Sequence, residues 1–461
     1  MHPERARRGV AALSAGAAAA SLRTISLTRG GRVKYGCGLV SMMRKDNMKN
    51  RFPGMALIAS VGFVMLFVLQ PMNPAYAQNK PPQPSRAAAK PLKAAADAIK
   101  AKKYDVAAEK IKEVEALPER SAYDEFLVHD MRGYLETRNK DYPGAEKDVE
   151  ANLNSPFAKP SEMPAHIKQL LELNLQLKDY TKAIDFGTRA IKGGFADDAT
   201  YEFLEQAYYL KGDHKATLHF VNDYVDAQIK AGKTPKERSL KTIMATCIAM
   251  KDQVCVQHAF ERLVLYYPKG DYWANLINSL FTSDDYKSDL PRLQLFRLAA
   301  DVNVLKNPAD FTEMAQLDMD QGASSESVRV LQKGLDGNVF TEQREKDKNG
   351  RLLAAAQKRA AADQSSIQQR TADATAAPDG NKDAALGLTL LSLQQYPPAI
   401  DALNGALKKG GLQNPADTQL LLGIALLKAG NKDEALKAFH AVKGDPKYER
   451  LAGLWSLHTR A

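Results

Sequence analysis

Few residues of this chain have types and spacings that could do chemistry. His214 and His219 stand five apart across a turn-to-helix junction. Side chains on a helix meet at three or four residues, so this pair is poorly set to face one metal and reads as solvated helix surface. Asp284-Asp285 beside Tyr286 has the composition of a turn. The basic residues from Arg344 to Lys348 alternate with acids, as on a solvated helix face. There is no phosphate-cradling G-x-x-x-x-G-K-[ST], no G-x-G-x-x-G after a strand, no H-E-x-x-H and no G-x-S-x-G. No catalytic residue, cofactor site or metal set is therefore expected, and the chain is read as a non-enzyme.

The cysteines say more. Cys37 lies in the leader described below, which leaves Cys247 and Cys255. A turn centred near Lys251-Asp252 would bring these two to similar heights on antiparallel helices. Cys247 faces the second helix, whereas Cys255 falls one residue before a small buried slot at Val256 and turns partly away. A disulfide and two separate buried thiols are both consistent with this placement. An oxidising compartment permits the bridge.

Charge points to that compartment. The formal net charge of +10 invites a nucleic-acid reading. However, residues 1–77 hold 11 Lys/Arg against 2 Asp/Glu, which leaves 53 and 52 for the rest. A nearly neutral body has no field with which to gather phosphates, so nucleic acid is not an expected partner. Within 1–77, Arg44, Lys45, Lys49 and Arg51 precede an apolar run from Met55 to Leu69, and Ala75-Tyr76-Ala77 follows. Basic segment, short apolar segment and small residues at −3 and −1 form a secretory signal peptide, with cleavage expected between Ala77 and Gln78 and a periplasmic destination. The run is shorter than the ~20 residues that span a bilayer. Met42, Met43 or Met48 would each serve as a start, leaving 1–41 outside the product. Residues 78–90, rich in Pro, Ala and Lys, read as a flexible linker.

The remaining chain must supply the elements, and its clearest statement is a doubled unit. Leu386-Gly387, Leu390, Ala399, Leu403 and Ala406 recur as Leu422-Gly423, Leu426, Ala435, Phe439 and Val442 at identical offsets. Small residues at the Gly and Ala slots let two antiparallel helices approach; larger ones at three- and four-residue spacing fill the seam. The arrangement resembles the tetratricopeptide (TPR) pattern W-x2-L-G-x2-Y…A-x3-F…P of ~34 residues. Earlier segments carry parts of it, with Ala107, Ala145, Ala183 and Val256 in the Ala slot and Asp141, Asp179 and Asp252 placed as N-caps. Gly187 replaces a usual large residue and should thin hairpin three. The expected fold is an all-α, TPR-like superhelical solenoid of about ten antiparallel hairpins, each stacked on its neighbours. Hairpins fill 91–341, an irregular polar hairpin with a mobile connector 342–380, and two regular hairpins with a capping helix 381–461.

In such a superhelix the first helix of each hairpin lines a concave groove. The candidate protein-binding positions in hairpins three to five are Lys168, Glu172, Glu202, Gln206, Tyr209, Arg238 and Lys241. A groove of this kind takes a protein or peptide, and a membrane would be reached only through that partner.

Several phrases are similar to one family. They are Phe260-Glu-Arg-Leu-Val-Leu-Tyr-Tyr-Pro268 with Tyr272-Trp273, Val330-Leu-Gln-Lys-Gly-Leu335, and Ala406-Leu-Lys-Lys-Gly-Gly-Leu412 leading into Leu420-Leu-Leu-Gly-Ile-Ala425. They resemble the exported TPR proteins of Gram-negative bacteria encoded beside TonB–ExbB–ExbD systems. The resemblance implies a periplasmic protein-binding scaffold, an accessory of TonB-dependent outer-membrane transport, with a TonB-system component as partner. The alternative is an envelope-assembly or polysaccharide-export factor that also binds protein through its TPR hairpins.

Overall fold

A left-handed residue recurs at the end of the first helix of most hairpins and organises the fold. It is Lys102, Lys140, Lys178, Lys251 or Gln394 in some hairpins and Gly212, Gly322 or Gly430 in others. One such residue stops a helix and turns the chain; a side chain there costs about 1–2 kcal/mol, which glycine avoids. An aspartate often follows and caps the returning helix. Asp141, Asp179, Asp213 and Asp252 accept hydrogen bonds from the backbone nitrogens of Gly144, Lys182, Ala216 and Cys255 at 3.0–3.2 Å. Each cap contributes about 1 kcal/mol.

The computed structural model describes residues 82–460; the leader and its expected cleavage site lie outside them. Among the described residues there are 21 α-helices, one short 3-10 turn and no strand. The N-terminal half is five hairpins: α1 (Arg86–Lys100) with α2 (Tyr104–Glu115), α3 (Ala122–Asn139) with α4 (Tyr142–Leu153), α5 (Met163–Gln176) with α6 (Tyr180–Lys192), α7 (Asp198–Lys211) with α8 (His214–Lys230), and α9 (Glu237–Ala249) with α10 (Gln253–Tyr266). The small slots are closed. Ala107, Ala145, Ala183, Ala399 and Ala435 are fully buried, and a Cβ on Gly423 would lie 2.4 Å from the Phe439 ring.

Four expectations need correction. Helix α1 starts at Arg86, inside the stretch read as linker, because the Ser85 hydroxyl caps it and an Ala run carries it forward. Packing at Gly187 is not thin: a Cβ there would meet Leu204 at 2.5 Å, so the next hairpin fills the space. Nor does 342–380 form a hairpin. Helix α15 (Gln343–Ser365) runs unbroken for 23 residues and α16 (Ile367–Ala376) follows after a break at Ser366. Apart from Gly350, α15 is made of residues that sustain a helix with no strong stop signal, so it propagates. It packs on α14 (Ser324–Asp336), which itself pairs with α13 (Pro308–Asp320), while α16 packs on α17 (Asn381–Ser392).

The fourth correction concerns the stacking. Helices α11 (Gly270–Phe281) and α12 (Asp289–Asp301) flank the 3-10 turn at Asp284–Tyr286, and the two regular hairpins are α17 with α18 (Tyr396–Lys409) and α19 (Pro415–Lys428) with α20 (Lys432–His440). The last helix, α21 (Pro446–Arg460), does not simply cap this series. It returns to α10 and α12, far back along the chain. Arg450 pairs with Glu261, the Tyr286 hydroxyl donates to Lys447 O at 3.3 Å, and His458 Nε2 lies 2.8 Å from Asp301 Oδ2. Gln294 on α12 donates to Asp417 on α19 at 2.7 Å. At the centre of this closed turn Arg297, 5% exposed, donates to Asp318 at 3.2 Å and Glu326 at 2.9 Å. Burial pushes the Asp318 carboxyl well above the usual carboxylate range and also raises Asp417.

Candidate functional site

The left-handed turns give every N-terminal hairpin a common register. Lys168 stands ten residues before Lys178, Glu202 ten before Gly212 and Lys241 ten before Lys251. In hairpin two the same place is Asp130, ten before Lys140, and the next place on that helix face is Tyr134, the counterpart of Glu172 and Gln206. These positions recur on the first helices, so they form a ladder along one face of the stack.

The structure brings several of the expected groove residues together, though largely for one another's sake. Lys168 Nζ lies 2.6 Å from Asp197 Oδ2. Glu202 receives Lys236 at 2.8 Å and Arg238 at 3.3 Å, and Arg238 also donates to the Glu202 carbonyl at 3.2 Å. Lys241 pairs with Glu237 at 3.6 Å. Burial raises the half-buried Glu172 carboxyl, with Lys168 opposing. Gln206 and Tyr209 sit half-buried on α7. Sequence reasoning missed Glu205, one place inward, which is fully buried and accepts from the Ser239 and Thr242 hydroxyls at 2.7 and 2.5 Å. These charges are thus paired between neighbouring hairpins, in partly exposed contacts that each contribute little to stability.

One hairpin closer to the N-terminus the ladder opens into a cavity of about 410 Å³. Volumes of this order suit a bound small molecule or side chain. It is lined by apolar Ile99, Met131 and Val149, by Lys100, Lys102, Tyr104 and Arg138, and by Asp130, Tyr134, His166 and Gln169. Three successive hairpins build it: α1 and the α1–α2 turn, α3 with α4, and α5. The Arg138 guanidinium lies 4.5 Å from the Tyr104 ring centre and 6.0 Å from that of Tyr134. Beneath, Asp148 accepts from Arg132 at 2.6 Å and contacts His129 at 2.9 Å, which fixes the α3–α4 seam. His166 is 8% exposed, its Nδ1 has no partner, and burial lowers its pKa. The Asp130 carboxyl, half-buried, is raised to about 6, by burial first and by nearby Glu162 second. The sequence signal that could have found Asp130 and Tyr134 was the ten-residue register.

Cys247 on α9 and Cys255 on α10 are joined, with Cα atoms 5.4 Å apart, inside the range a disulfide needs. Asp284 and Asp285 begin the 3-10 turn. His219 contacts Asp223 at 3.5 Å, one turn on along α8. Among the described residues no group of three His, Cys, Asp or Glu side chains is arranged to hold a metal, and no helix is long and apolar enough to cross a membrane.

These antiparallel hairpins, with small residues at the crossing, define a TPR-like α-solenoid whose C-terminal half is closed by α21. Among solved structures the chain is similar to a tetratricopeptide repeat protein from Parabacteroides merdae at 12% identity, covering 72% of this chain and 98% of that one with a TM-score of 0.26. It is similar to the TPR2AB domain of yeast Sti1, solved as a complex with pHSP90, at 13% identity, 65% and 98% coverage and a TM-score of 0.23. For yeast Tom70 the figures are 9%, 81% and 95%, and 0.22. No protein-family model matches the chain, and no curated protein does.

Proposed function

We propose that this chain is an exported, non-catalytic scaffold that holds a polypeptide partner in its N-terminal groove and serves TonB-dependent outer-membrane transport. One observation carries the binding reading. Three successive hairpins leave a cavity of about 410 Å³ on the ladder face, lined by aromatic rings and charged groups. Solenoids present partners with such concave first-helix faces. Export rests on the basic segment, the Met55–Leu69 run and Ala75-Tyr76-Ala77. The TonB link rests on the family phrases around Phe260–Pro268 and Ala406–Ala425.

The test is affinity capture from a periplasmic extract, with mass spectrometry of what is retained and intact-mass analysis of the bait. Recovery of TonB, ExbD or a receptor plug supports the transport role. Recovery of assembly or polysaccharide-export machinery favours the alternative. A bait that still carries residues 55–69, or lacks any specific partner, overturns the reading.

A further inference from the structure

The cavity at hairpins one to three holds an acid that none of the cations lining it meets. Asp130 makes no hydrogen bond or ion pair with its side chain among the described residues. Lys159 is near enough to favour its ionised form, but that lysine is bound to Glu162 at 2.9 Å, so the pair brings no net charge. His166 lines the same cavity and cannot substitute. It is more than nine-tenths buried, and burial disfavours its cationic form. Lys100, Lys102 and Arg138 also line the cavity, Arg138 being drawn over the Tyr104 ring at 4.5 Å. A half-buried carboxylate costs free energy unless a cation meets it, so an acid left in this state suits an external partner.

We propose that the cavity receives a Lys or Arg side chain of the partner polypeptide, with Asp130 as its counter-ion and the Tyr134 ring alongside. This rests on the peptide-binding reading above and specifies its chemistry. Tyr134 follows Asp130 by one helical turn, so carboxylate and ring share a face and can act on one cation together. Lys100, Lys102 and Arg138 repel a second cation and favour an acidic residue nearby in the bound segment. The occupant is thus a dipolar stretch of chain, basic at the Asp130 contact and acidic beside it.

Selection of short random peptides displayed on phage against the purified chain, followed by fluorescence anisotropy with the recovered peptides, tests this. The inference expects Lys- or Arg-containing peptides to be enriched. Changing that residue to norleucine, or Asp130→Asn in the protein, should each weaken binding by about tenfold or more, as for loss of a desolvated charge pair. Asp223→Asn, the same charge change on exposed α8, should leave affinity within about twofold, which separates a site from general attraction. Recovered peptides without basic enrichment, or insensitive to Asp130→Asn, overturn the inference and leave peptide binding standing. No recovered peptide at all counts against both.

Discussion

Replacing Arg297 with Met removes the cation at the centre of the closed C-terminal turn. The guanidinium is 5% exposed and donates to both Asp318 and Glu326, with Asp417 close enough to add to its charge balance. Methionine fills most of the volume, so little of the loss comes from packing. The loss comes from leaving buried carboxyls unpaired, which costs about 3–5 kcal/mol for a broken buried pair. Asp318 is already raised and can meet part of that by holding a proton, so about 3 kcal/mol is expected at about pH 7.5. The sign of the pH effect follows. Without the cation the folded-state pKa values of Asp318 and Asp417 rise further above their unfolded values of about 4, so the folded chain binds more protons and the variant's deficit shrinks on acidification. Trp273 and Trp455, the only tryptophans, are both buried in this turn, so their emission in a urea titration reports its opening. A loss under about 1 kcal/mol at neutral pH, or a deficit that grows toward about pH 5.5, would refute the reasoning.

Asp130→Asn is expected to stabilise the free chain even as it weakens binding. A carboxyl raised to about 6 is a cost that appears as pH rises from its unfolded value through 6, so the gain is about 1–2 kcal/mol at neutral pH after allowance for solvent access and is nearly absent at about pH 4. Paired thermal melts at the two pH values check it, and coincident curves at neutral pH count against it. Gly423→Ala should cost about 1–3 kcal/mol through contact with Phe439, whereas Gly350→Ala, in open space within α15, should gain about 0.5–1 kcal/mol in the same titration. Thiol titration of the unreduced, unfolded exported chain should find no free thiol; two would exclude the Cys247–Cys255 bridge.

The hairpins were legible because their signals are local. Leu-Gly pairs, the Ala twelve residues after the Gly and the Lys-Asp turns each act within one repeat, and Gly423 against Phe439 is one such contact. The closure was not legible. Gln294 and Asp417 are 123 residues apart and Arg450 and Gln257 are 193 apart, and no period connects them. The pairing of the candidate residues was legible only in part. Spacing put Lys168, Glu202 and Arg238 on first helices, but their partners Asp197 and Lys236 lie just before the helices, outside the repeat pattern. Asp130 obeyed the same register, yet only the cavity distinguishes it from its paired counterparts.

The return of α21 also sets an order of events. Most solenoids can fold as they are made, since each unit needs only the one before it. Here Tyr286 waits for Lys447, 161 residues later, and Asp301 for His458, 157 later. Contacts of that sequence separation slow folding because the intervening chain must be confined before they form. The five N-terminal hairpins are free to settle early, while the middle keeps an apolar face uncovered until α21 is synthesised. Loss of α21 would therefore damage the centre of the described fold more than the hairpins next to it in sequence.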